Sequence, residues 1–367
     1  MSAAHDGIAP NVLHVFPTAE SAELIAAFGT KLRHTMVTAD GALPAGLRKS
    51  PYLKPASDFP KLGGALGPGR MQRLARAMTP FDLVLTHGYE ALDVAMAHTL
   101  FKDAMNLPPL IHHEHALDAK HGLKRKWYRR IALGKASGLV VPGEALEERA
   151  LVDWQQPMGR VKRIAPLLDT KAFAKKPKHD SLRLIKHPGE HWVGCWPGEQ
   201  DSSRLAALVE AVAQLPGAWN LVVMGEGQER ADSQAQIDRL EINDRVHFLA
   251  SSIAPAKVMG LFDIFVSLSG RGTFPVHVVE AMAASVAVLA PHTPEMEGIL
   301  PQAAQEWLYD QGASGSLSAY LGALAKDKGL RTTLGEANRA KAVQDFDREK
   351  TLATYRRLYS SAMKREF

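Results

Sequence analysis

Short apolar runs alternate with helical patterns along most of the chain, and this alternation constrains the fold more than any other feature of the sequence. In the first half the apolar runs are residues 12–16, 81–87, 109–115 and 138–143. In the second half they are HWVGCW, NLVVMGEG, RVHFLA, DIFVSLS and VAVLAP. Strands that are apolar throughout and separated by helices are typical of parallel sheets with helices on both faces.

A stretch rich in lysine and proline, residues 170–180, interrupts this rhythm, which then restarts. The chain has 367 residues, which is too long for one ordinary core. We therefore expect an α/β protein with two doubly wound, Rossmann-like domains, residues 1–169 and 181–345, joined by the linker 170–180. The two domains are expected to face a central cleft, because ligands of such sheets bind beyond the C-terminal ends of the strands.

The composition predicts a soluble, cytoplasmic protein. No apolar run approaches the roughly 18 residues that a membrane-spanning helix needs. The N-terminus lacks the basic region and long apolar core of a signal peptide. The single cysteine, Cys195, cannot form an internal disulfide, which fits a reducing compartment.

The net charge of +5 is unevenly distributed. Residues 1–168 hold 21 Lys and Arg against 15 Asp and Glu, whereas the remainder holds 23 against 24. The segment KHGLKRKWYRRIALGK, residues 120–135, has seven basic residues and no acidic one, and RMQRLARAM adds three arginines at helical spacing. An anionic partner of the first half is therefore expected.

The basic, aromatic helix within residues 120–135 favours an anionic membrane surface. The alternative is a solvated basic face, which is the more frequent meaning of a single charge run. The residues predicted to lie on the membrane or acceptor side are Lys124, Arg125, Lys126, Trp127, Arg129 and Arg130. A nucleic-acid partner is not expected, because the chain carries no recognised binding module.

The segment LSGRGTFPVHVVEAM, residues 268–282, predicts a strand, a glycine-containing loop and a helix that begins near Pro275 with Thr273 as its cap. The free N–H groups of such a helix favour a phosphate. Glu280, about two turns into the helix, would repel a phosphate, so it is expected to accept hydrogen bonds from sugar hydroxyls. The segment therefore predicts a nucleotide site; the alternative is an ordinary surface helix after a glycine loop.

Two further segments carry candidate site residues. In VVMGEGQER a strand runs into Gly225 and Gly227, although the third glycine of a dinucleotide fingerprint is missing. In IHHEH, residues 111–115, a strand places His113 and His115 on one face and His112 and Glu114 on the other. The zinc-binding spacing HExxH is absent, so no metal is expected there.

Residues 219–291 resemble the C-terminal domain of the family 4 retaining glycosyltransferases, which have the GT-B fold, and weaker similarity extends over nearly the whole chain. The resemblance implies sugar transfer from a nucleotide diphosphate sugar to a glycan or lipid-linked acceptor, in cell-surface polysaccharide or glycolipid synthesis. It implies a hexosyl or related transferase without a metal or other cofactor. It also implies that residues 346–367 cross back onto the N-terminal domain and that the enzyme is peripheral on the inner face of the cytoplasmic membrane.

The same resemblance assigns roles to individual residues. His115, with His113 as second choice, would face the transferred sugar, and Glu280 would hold the ribose. The alternative for the histidine is a hydrogen-bonded residue at a strand end. The remaining donor-side candidates are Gly225, Gly227, Arg271, Gly272, Thr273, Phe274 and Arg204.

Four donor-side positions depart from the family pattern. Gly272 stands where the first of two glutamates is usual, Cys195 stands for an arginine, and Gln200 stands for a lysine. The glycine pair after the first strand is replaced by FPTAES. Losing two phosphate contacts of about 1.5–3 kcal/mol each would weaken donor binding by roughly two to four powers of ten. Arg271 or Arg204 could substitute; the alternative for either is a solvated surface arginine.

Three hypotheses follow. The first is an active glycosyltransferase with unusual donor contacts. The second is a non-catalytic relative that binds or scaffolds, which the replacements at residues 195, 200 and 272 favour. The third is a nucleotide-sugar epimerase or a phosphorylase on the same fold; a phosphorylase with a pyridoxal cofactor would need a lysine in a matching pocket, and the sequence shows no such motif.

Overall fold

The computed structural model describes residues 8–16, 23–65, 67–116, 122–177, 184–198, 202–225, 228–250, 252–268, 274–313 and 315–367. The chain forms two compact units. Unit 1 comprises Met1–Leu167 and Glu349–Phe367, and unit 2 comprises Leu168–Arg348. The expected pair of parallel-sheet α/β domains is confirmed.

Unit 1 contains a seven-stranded parallel sheet with the order β3-β2-β1-β4-β5-β6-β7. Its strands are β1 Asn11–Val15, β2 Arg33–Val37, β3 Leu53–Pro55, β4 Leu83–His87, β5 Leu110–His113, β6 Gly138–Val141 and β7 Val161–Arg163. Its helices are α1 Glu23–Phe28, α2 Pro68–Met78, α3 Leu92–Met105, α4 Leu123–Ala132 and α5 Glu144–Glu148.

Unit 2 contains a six-stranded parallel sheet with the order β10-β9-β8-β11-β12-β13. Its strands are β8 His191–Cys195, β9 Trp219–Met224, β10 Val246–Leu249, β11 Ile264–Val266, β12 Ala287–Pro291 and β13 Leu308–Tyr309. Its helices are α6 Ser202–Ala213, α7 Gln228–Arg239, α8 Val276–Ala283, α9 Pro294–Ile299, α10 Gln302–Gln305, α11 Ser316–Lys326 and α12 Lys328–Asp345. A last helix, α13 Arg348–Met363, returns the chain to unit 1.

The core of unit 1 lies on both faces of its sheet, because successive side chains of a strand point to opposite faces. Leu13 and Val15 of β1 belong to the cluster that α2 and α3 cover. Val12 belongs to the opposite cluster, together with Tyr355 and Tyr359 of α13. Helix α13 therefore completes one face of the unit 1 core.

The apolar runs predicted as strands are strands in the structure, and four further strands are present. Strand β2 was missed because RHTMV mixes polar with apolar residues, and β3, β7 and β13 have only two or three residues each. Part of the predicted linker is folded, since residues 170–173 form a short 3-10 helix in unit 2 with Thr170 and Phe173 buried. Within the described ranges, no helix is both long and apolar enough to cross a bilayer.

Candidate functional site

The candidate residues of unit 2 lie at the carboxyl edge of its sheet, where the chain crosses over between β8 and β11. Strand β8 is a central strand and the first of this sheet in the sequence. Strands β9 and β10 lie on one side of it, and the chain then crosses over so that β11 lies on the other side. Such a crossover opens a crevice beyond the strand ends, where ligands of doubly wound sheets bind. Trp196 follows β8 directly, and α8 begins shortly after β11.

Glu280 is held at this edge by a histidine that the sequence reasoning missed. The Glu280 side chain is buried, and its Oε2 lies 2.6 Å from Nδ1 of His277, one turn earlier on α8. The His277 ring stacks on Trp196, with ring centroids 4.2 Å apart and planes 11° apart. The spacing of His277 and Glu280, three residues apart on a helix, was the available signal.

The start of α8 differs slightly from the prediction. Pro275 is the N-cap and α8 begins at Val276, without a side-chain cap hydrogen bond from Pro275. Phe274 packs edge-on against Phe346, with ring centroids 6.0 Å apart. The predicted cap Thr273, with Arg271 and Gly272, lies outside the described residues.

The other donor-side candidates of unit 2 are scattered along the same edge or lie outside the described ranges. Gly225 is buried directly after β9, and Arg204 lies half-buried in the first turn of α6. Gly227 and Gln200 fall outside the described residues. Cys195 is fully buried, and it pairs with Val223 and Val266 inside the sheet.

In unit 1 the carboxyl edge of the sheet carries a row of stacked histidines. The His87 ring, at the end of β4, lies between Phe16 and His113, with centroid distances of 3.8 and 4.5 Å. The predicted faces of β5 are confirmed, because His113 and His115 both stack with His87, whereas Glu114 bonds to α4 on the other face. His113 is buried and its Nε2 lies 3.0 Å from the Tyr359 hydroxyl of α13.

His115, the first catalytic candidate, is exposed at the rim of this row. Its Nε2 lies 3.2 Å from Nδ1 of His87. The structure therefore brings His113 and His115 together with His87, the last residue of β4.

Burial keeps these histidines uncharged. Desolvation lowers the pKa of His14, His87 and His113 well below the ordinary 6.5, and neighbouring histidines lower each further. Burial also lowers the pKa of His34, which contacts His14, to about 4. The row therefore consists of neutral imidazoles at pH 7.

A pocket opens beside the histidine row within unit 1. It has a volume of about 200 Å³, and its walls include Glu23, Leu24, His87, His113, Glu114, His115, Ile164 and Tyr355. Among the described residues, no group of three or more histidine, cysteine or acidic side chains is arranged to hold a metal ion.

Part of the membrane face predicted on helix α4 is wrong. Arg129 is buried, and its Nε donates to Oε2 of Glu114 at 3.0 Å. Its guanidinium also lies over the rings of Tyr89 and Trp154, at 4.7 and 4.8 Å. Arg129 is therefore an internal cation and is not available to a membrane.

Two more basic residues predicted for this face have protein partners. Lys126 binds Asp153 at 2.7 Å, and the Arg125 guanidinium lies 4.4 Å from the centre of the Tyr89 ring. Of the neighbouring run on α2, Arg70 pairs with Asp93 at 2.7 Å. Lys124 is exposed, and Arg130 lies over the Trp127 ring.

The outer face of α4 carries an exposed apolar stripe that the sequence reasoning did not single out. Leu123, Trp127 and Ile131 follow each other at intervals of four residues and are 76%, 55% and 51% exposed. Residues four apart lie on one face of a helix, so the three side chains form a continuous row. We call Leu123, Trp127 and Ile131 the α4 stripe.

Comparison with solved structures identifies the fold. The chain superimposes on HepE of Anabaena in complex with UDP with a TM-score of 0.76 and 17% identity, covering 96% of this chain and all of that one. A glycosyltransferase of Rickettsia africae gives a TM-score of 0.79 and 13% identity, with 97% and 99% covered. The fold is that of the GT-B glycosyltransferases.

Comparison with known sequences gives a family match within unit 2. Residues 202–341 match the family model described as glycosyl transferases group 1. N-acetyl-alpha-D-glucosaminyl L-malate synthase of Bacillus anthracis is 24% identical over 163 residues, 44% of this chain. The matched region spans 43% of that relative, which is less than half its length.

Proposed function

We propose that the protein is a glycosyltransferase that moves a sugar from a nucleotide diphosphate sugar to a glycan or lipid-linked acceptor. The observation that carries the proposal is Glu280, a buried carboxylate at the crossover edge of unit 2, inside the segment that the group 1 family model matches. In doubly wound folds an acidic residue at this edge accepts hydrogen bonds from a ribose.

The nucleotide that we propose first is UDP, because the similar HepE structures were determined with UDP and with UDP-glucose. In this proposal the N–H groups at the start of α8 bind the diphosphate without a metal. His115, at the rim of the histidine row, contacts the transferred sugar. We further propose a hexosyl transfer with retention of configuration in polysaccharide or glycolipid synthesis, which the resemblance of residues 219–291 to family 4 supports.

Titration calorimetry with UDP and other nucleoside diphosphates tests the donor site. We expect UDP to bind, and Glu280→Ala to weaken binding by about tenfold or more, since a hydrogen bond to a charged group is worth about 1.5–3 kcal/mol. Glu297→Ala is the matched control, because Glu297 also bonds a histidine, at 2.5 Å, but at an exposed position of α9. Absence of binding by every nucleoside diphosphate at millimolar concentration would refute the enzymatic proposal.

The second candidate is a non-catalytic glycosyltransferase-like protein that binds or scaffolds. The favouring observation is Cys195, a buried apolar position where the family resemblance calls for an arginine. The two candidates differ in chemistry. Release of UDP from UDP-sugars, in the presence of an acceptor extract, supports the enzyme, and NMR of the product reports the anomeric configuration. Tight UDP binding without any turnover supports the second candidate.

We also propose that α4 attaches the protein peripherally to an anionic membrane at the cytoplasmic face. The α4 stripe supplies apolar contact, and Lys124 and Arg130 flank it with positive charge. Helices with a basic and an apolar side lie in the membrane interface, and each basic residue near anionic headgroups contributes about 1 kcal/mol.

Co-sedimentation with vesicles tests this attachment. We expect binding to phosphatidylglycerol vesicles, weakening with salt, and little binding to phosphatidylcholine vesicles. Trp127→Glu should reduce binding strongly, whereas Val343→Glu, at an exposed apolar residue of α12 in unit 2, is the matched control. Equal partitioning of the wild type onto neutral and anionic vesicles would contradict the electrostatic part of the proposal.

A further inference from the structure

The pocket of unit 1 is small and lies at the carboxyl edge of the sheet. Its volume of about 200 Å³ is below the roughly 300–1,000 Å³ of sites that hold drug-sized ligands. Its size therefore suits a ligand group with a single ring or a short chain of atoms. Leu24, Ile164 and Tyr355 supply an apolar part of the wall, and the histidine row supplies the polar part.

The pocket wall is acidic, although residues 1–168 carry a net positive charge. Among the described residues, no lysine or arginine lines the pocket, whereas Glu23 and Glu114 do. Burial would raise the pKa of Glu114, but the hydrogen bonds and charges of His112 and Arg129 outweigh this effect and lower it. The carboxylate is therefore ionised at neutral pH, whereas the pocket histidines His87 and His113 are neutral, because burial lowers their pKa values.

Two buried imidazole nitrogens of residues that line the pocket, Nε2 of His87 and Nδ1 of His113, have no hydrogen-bond partner among the described residues. His87 is buried, its Nδ1 bonds His115, and its Nε2 has no hydrogen-bond partner among the described residues. A neutral imidazole has one donor and one acceptor nitrogen, so Nε2 takes either role according to the tautomer. A hydroxyl group both donates and accepts, and so it satisfies Nε2 in either tautomer. A buried polar atom left unpaired is costly, which favours a ligand that supplies this group.

We propose that this pocket takes an uncharged, hydroxyl-bearing group, such as a sugar ring or a polyol, and excludes carboxylates and phosphates. Its assignment as the acceptor pocket rests on the proposed function, which this inference deepens by naming the acceptor class. An anion in the pocket would give up its hydration next to Glu114 and find no cation on the wall. A hydroxyl group carries no such penalty.

Matched pairs of sugars test the pocket by saturation-transfer NMR and calorimetry at pH 7.5. The pairs are the methyl glycosides of glucose, galactose and mannose and the corresponding methyl uronides, which differ only in a carboxylate at C6. We expect at least one neutral glycoside to bind and its uronide to bind at least about tenfold more weakly. Uronides that bind equally or more tightly, or a panel without a neutral binder, would overturn the proposal.

Variants locate the binding in the pocket. His87→Phe removes Nε2 and should weaken the neutral glycoside at least about tenfold, and Glu114→Gln should reduce the preference for neutral sugars. The matched control is His98→Phe, because His98 is also buried with a pKa lowered to about 4 but bonds the Pro108 carbonyl outside the pocket. If His87→Phe fails to fold, His115→Asn, at an exposed residue that bonds His87, replaces it. Unchanged glycoside affinity in a folded His87→Phe or His115→Asn variant would place the binding elsewhere.

UDP titration of the same samples separates this inference from the proposed function. UDP binding without neutral-sugar binding would overturn the pocket assignment and leave the donor site intact. Neutral-sugar binding without UDP binding would refute the proposed transferase while supporting the pocket itself.

Discussion

In both units the chain builds one side of the sheet from a central strand and then crosses to the other side, and the candidate residues follow the two strands at that crossover or, for His113 and His115, lie at the end of the neighbouring strand β5. In unit 1 these strands are β1 and β4, and in unit 2 they are β8 and β11. The side chains at the two edges nevertheless differ. Unit 1 places buried, stacked imidazoles there, whereas unit 2 places Glu280, His277 and Trp196.

This difference shows that topology decides where a site lies and the side chains decide what it binds. Burial lowers the pKa of His87 and His113, so these imidazoles are neutral, and the acidic residues of the pocket at that edge are Glu23 and Glu114. The unit 2 edge presents a carboxylate beside the first turn of a helix, whose free N–H groups favour an anion. We therefore proposed a polyol for the first edge and a nucleotide for the second.

The largest expected effect is acid unfolding of unit 1 ahead of unit 2. His14, His87 and His113 have lowered pKa values in the folded state, so the unfolded chain binds more protons below about pH 6.5. Stability therefore falls as the pH falls, by about 1.4 kcal/mol per pH unit for each histidine. Three histidines give about 4 kcal/mol per pH unit between roughly pH 6 and 5.

Hydrogen exchange measured by mass spectrometry at pH 7, 6 and 5, corrected for intrinsic rates, follows each unit separately. We expect protection to fall first in unit 1. An equal loss of protection in both units would show that the histidine row does not control acid stability.

The next effect concerns the buried ion pair behind the pocket. Arg129→Met leaves Glu114 buried without its cation and should destabilise unit 1 by about 3–5 kcal/mol in urea unfolding. Lys126→Met removes the more exposed pair with Asp153 from the same helix and should cost about 0–1 kcal/mol. Adding Glu114→Gln to Arg129→Met should recover part of the loss. Equal effects of the two single substitutions would contradict the internal role of Arg129.

The fold was largely readable from the sequence because its strands are apolar throughout and parallel sheets bury such strands on both faces. The pattern failed for strands whose burial is partial or whose length is two or three residues, such as β3 with its exposed Lys54 and Pro55. A strand of two or three residues contains too few side chains to show the period-two alternation by which strands are recognised.

The candidate site was only partly predictable. The faces of β5 follow from strand alternation, and Glu280 follows from the strand–loop–helix segment. The burial of Arg129 could not be predicted, because a run of basic residues does not indicate which of them pairs with a buried carboxylate elsewhere in the chain, here Glu114. The contact of Trp196 with His277 joins residues 81 positions apart, so no local pattern indicates it.

A smaller loss of stability is expected from a substitution at Gly194 in β8, the strand that leads to Trp196. A methyl group at Gly194 in β8 would lie 2.2 Å from the Phe262 ring. Gly194→Ala should therefore destabilise unit 2 by about 1–3 kcal/mol, as overpacking does in well-packed cores. Combining it with Phe262→Leu should restore part of the stability, and thermal unfolding measures both. A neutral effect of Gly194→Ala alone would mean that β8 moves easily against this ring.

The smallest expected effect is that of His277→Phe at the unit 2 edge. His277 bonds the carboxylate of Glu280, whereas the stacked histidines of unit 1 bond one another or a tyrosine. His277 Nδ1 lies 2.6 Å from Glu280 Oε2, and the stacked Trp196 ring restrains the imidazole. His277→Phe keeps an aromatic ring for the stack but removes the hydrogen bond, so Glu280 should lose its orientation. We expect UDP affinity to fall by about tenfold, or about 1.4 kcal/mol, with little change in the melting temperature.

The control for this substitution is His292→Phe, which removes the exposed His292–Glu297 pair. It should leave UDP affinity unchanged. If His277→Phe also leaves UDP affinity unchanged while Glu280→Ala lowers it, Glu280 orients without help and His277 only packs. If both histidine variants weaken UDP equally, the loss reflects charge at a distance, and the orienting role of His277 is wrong.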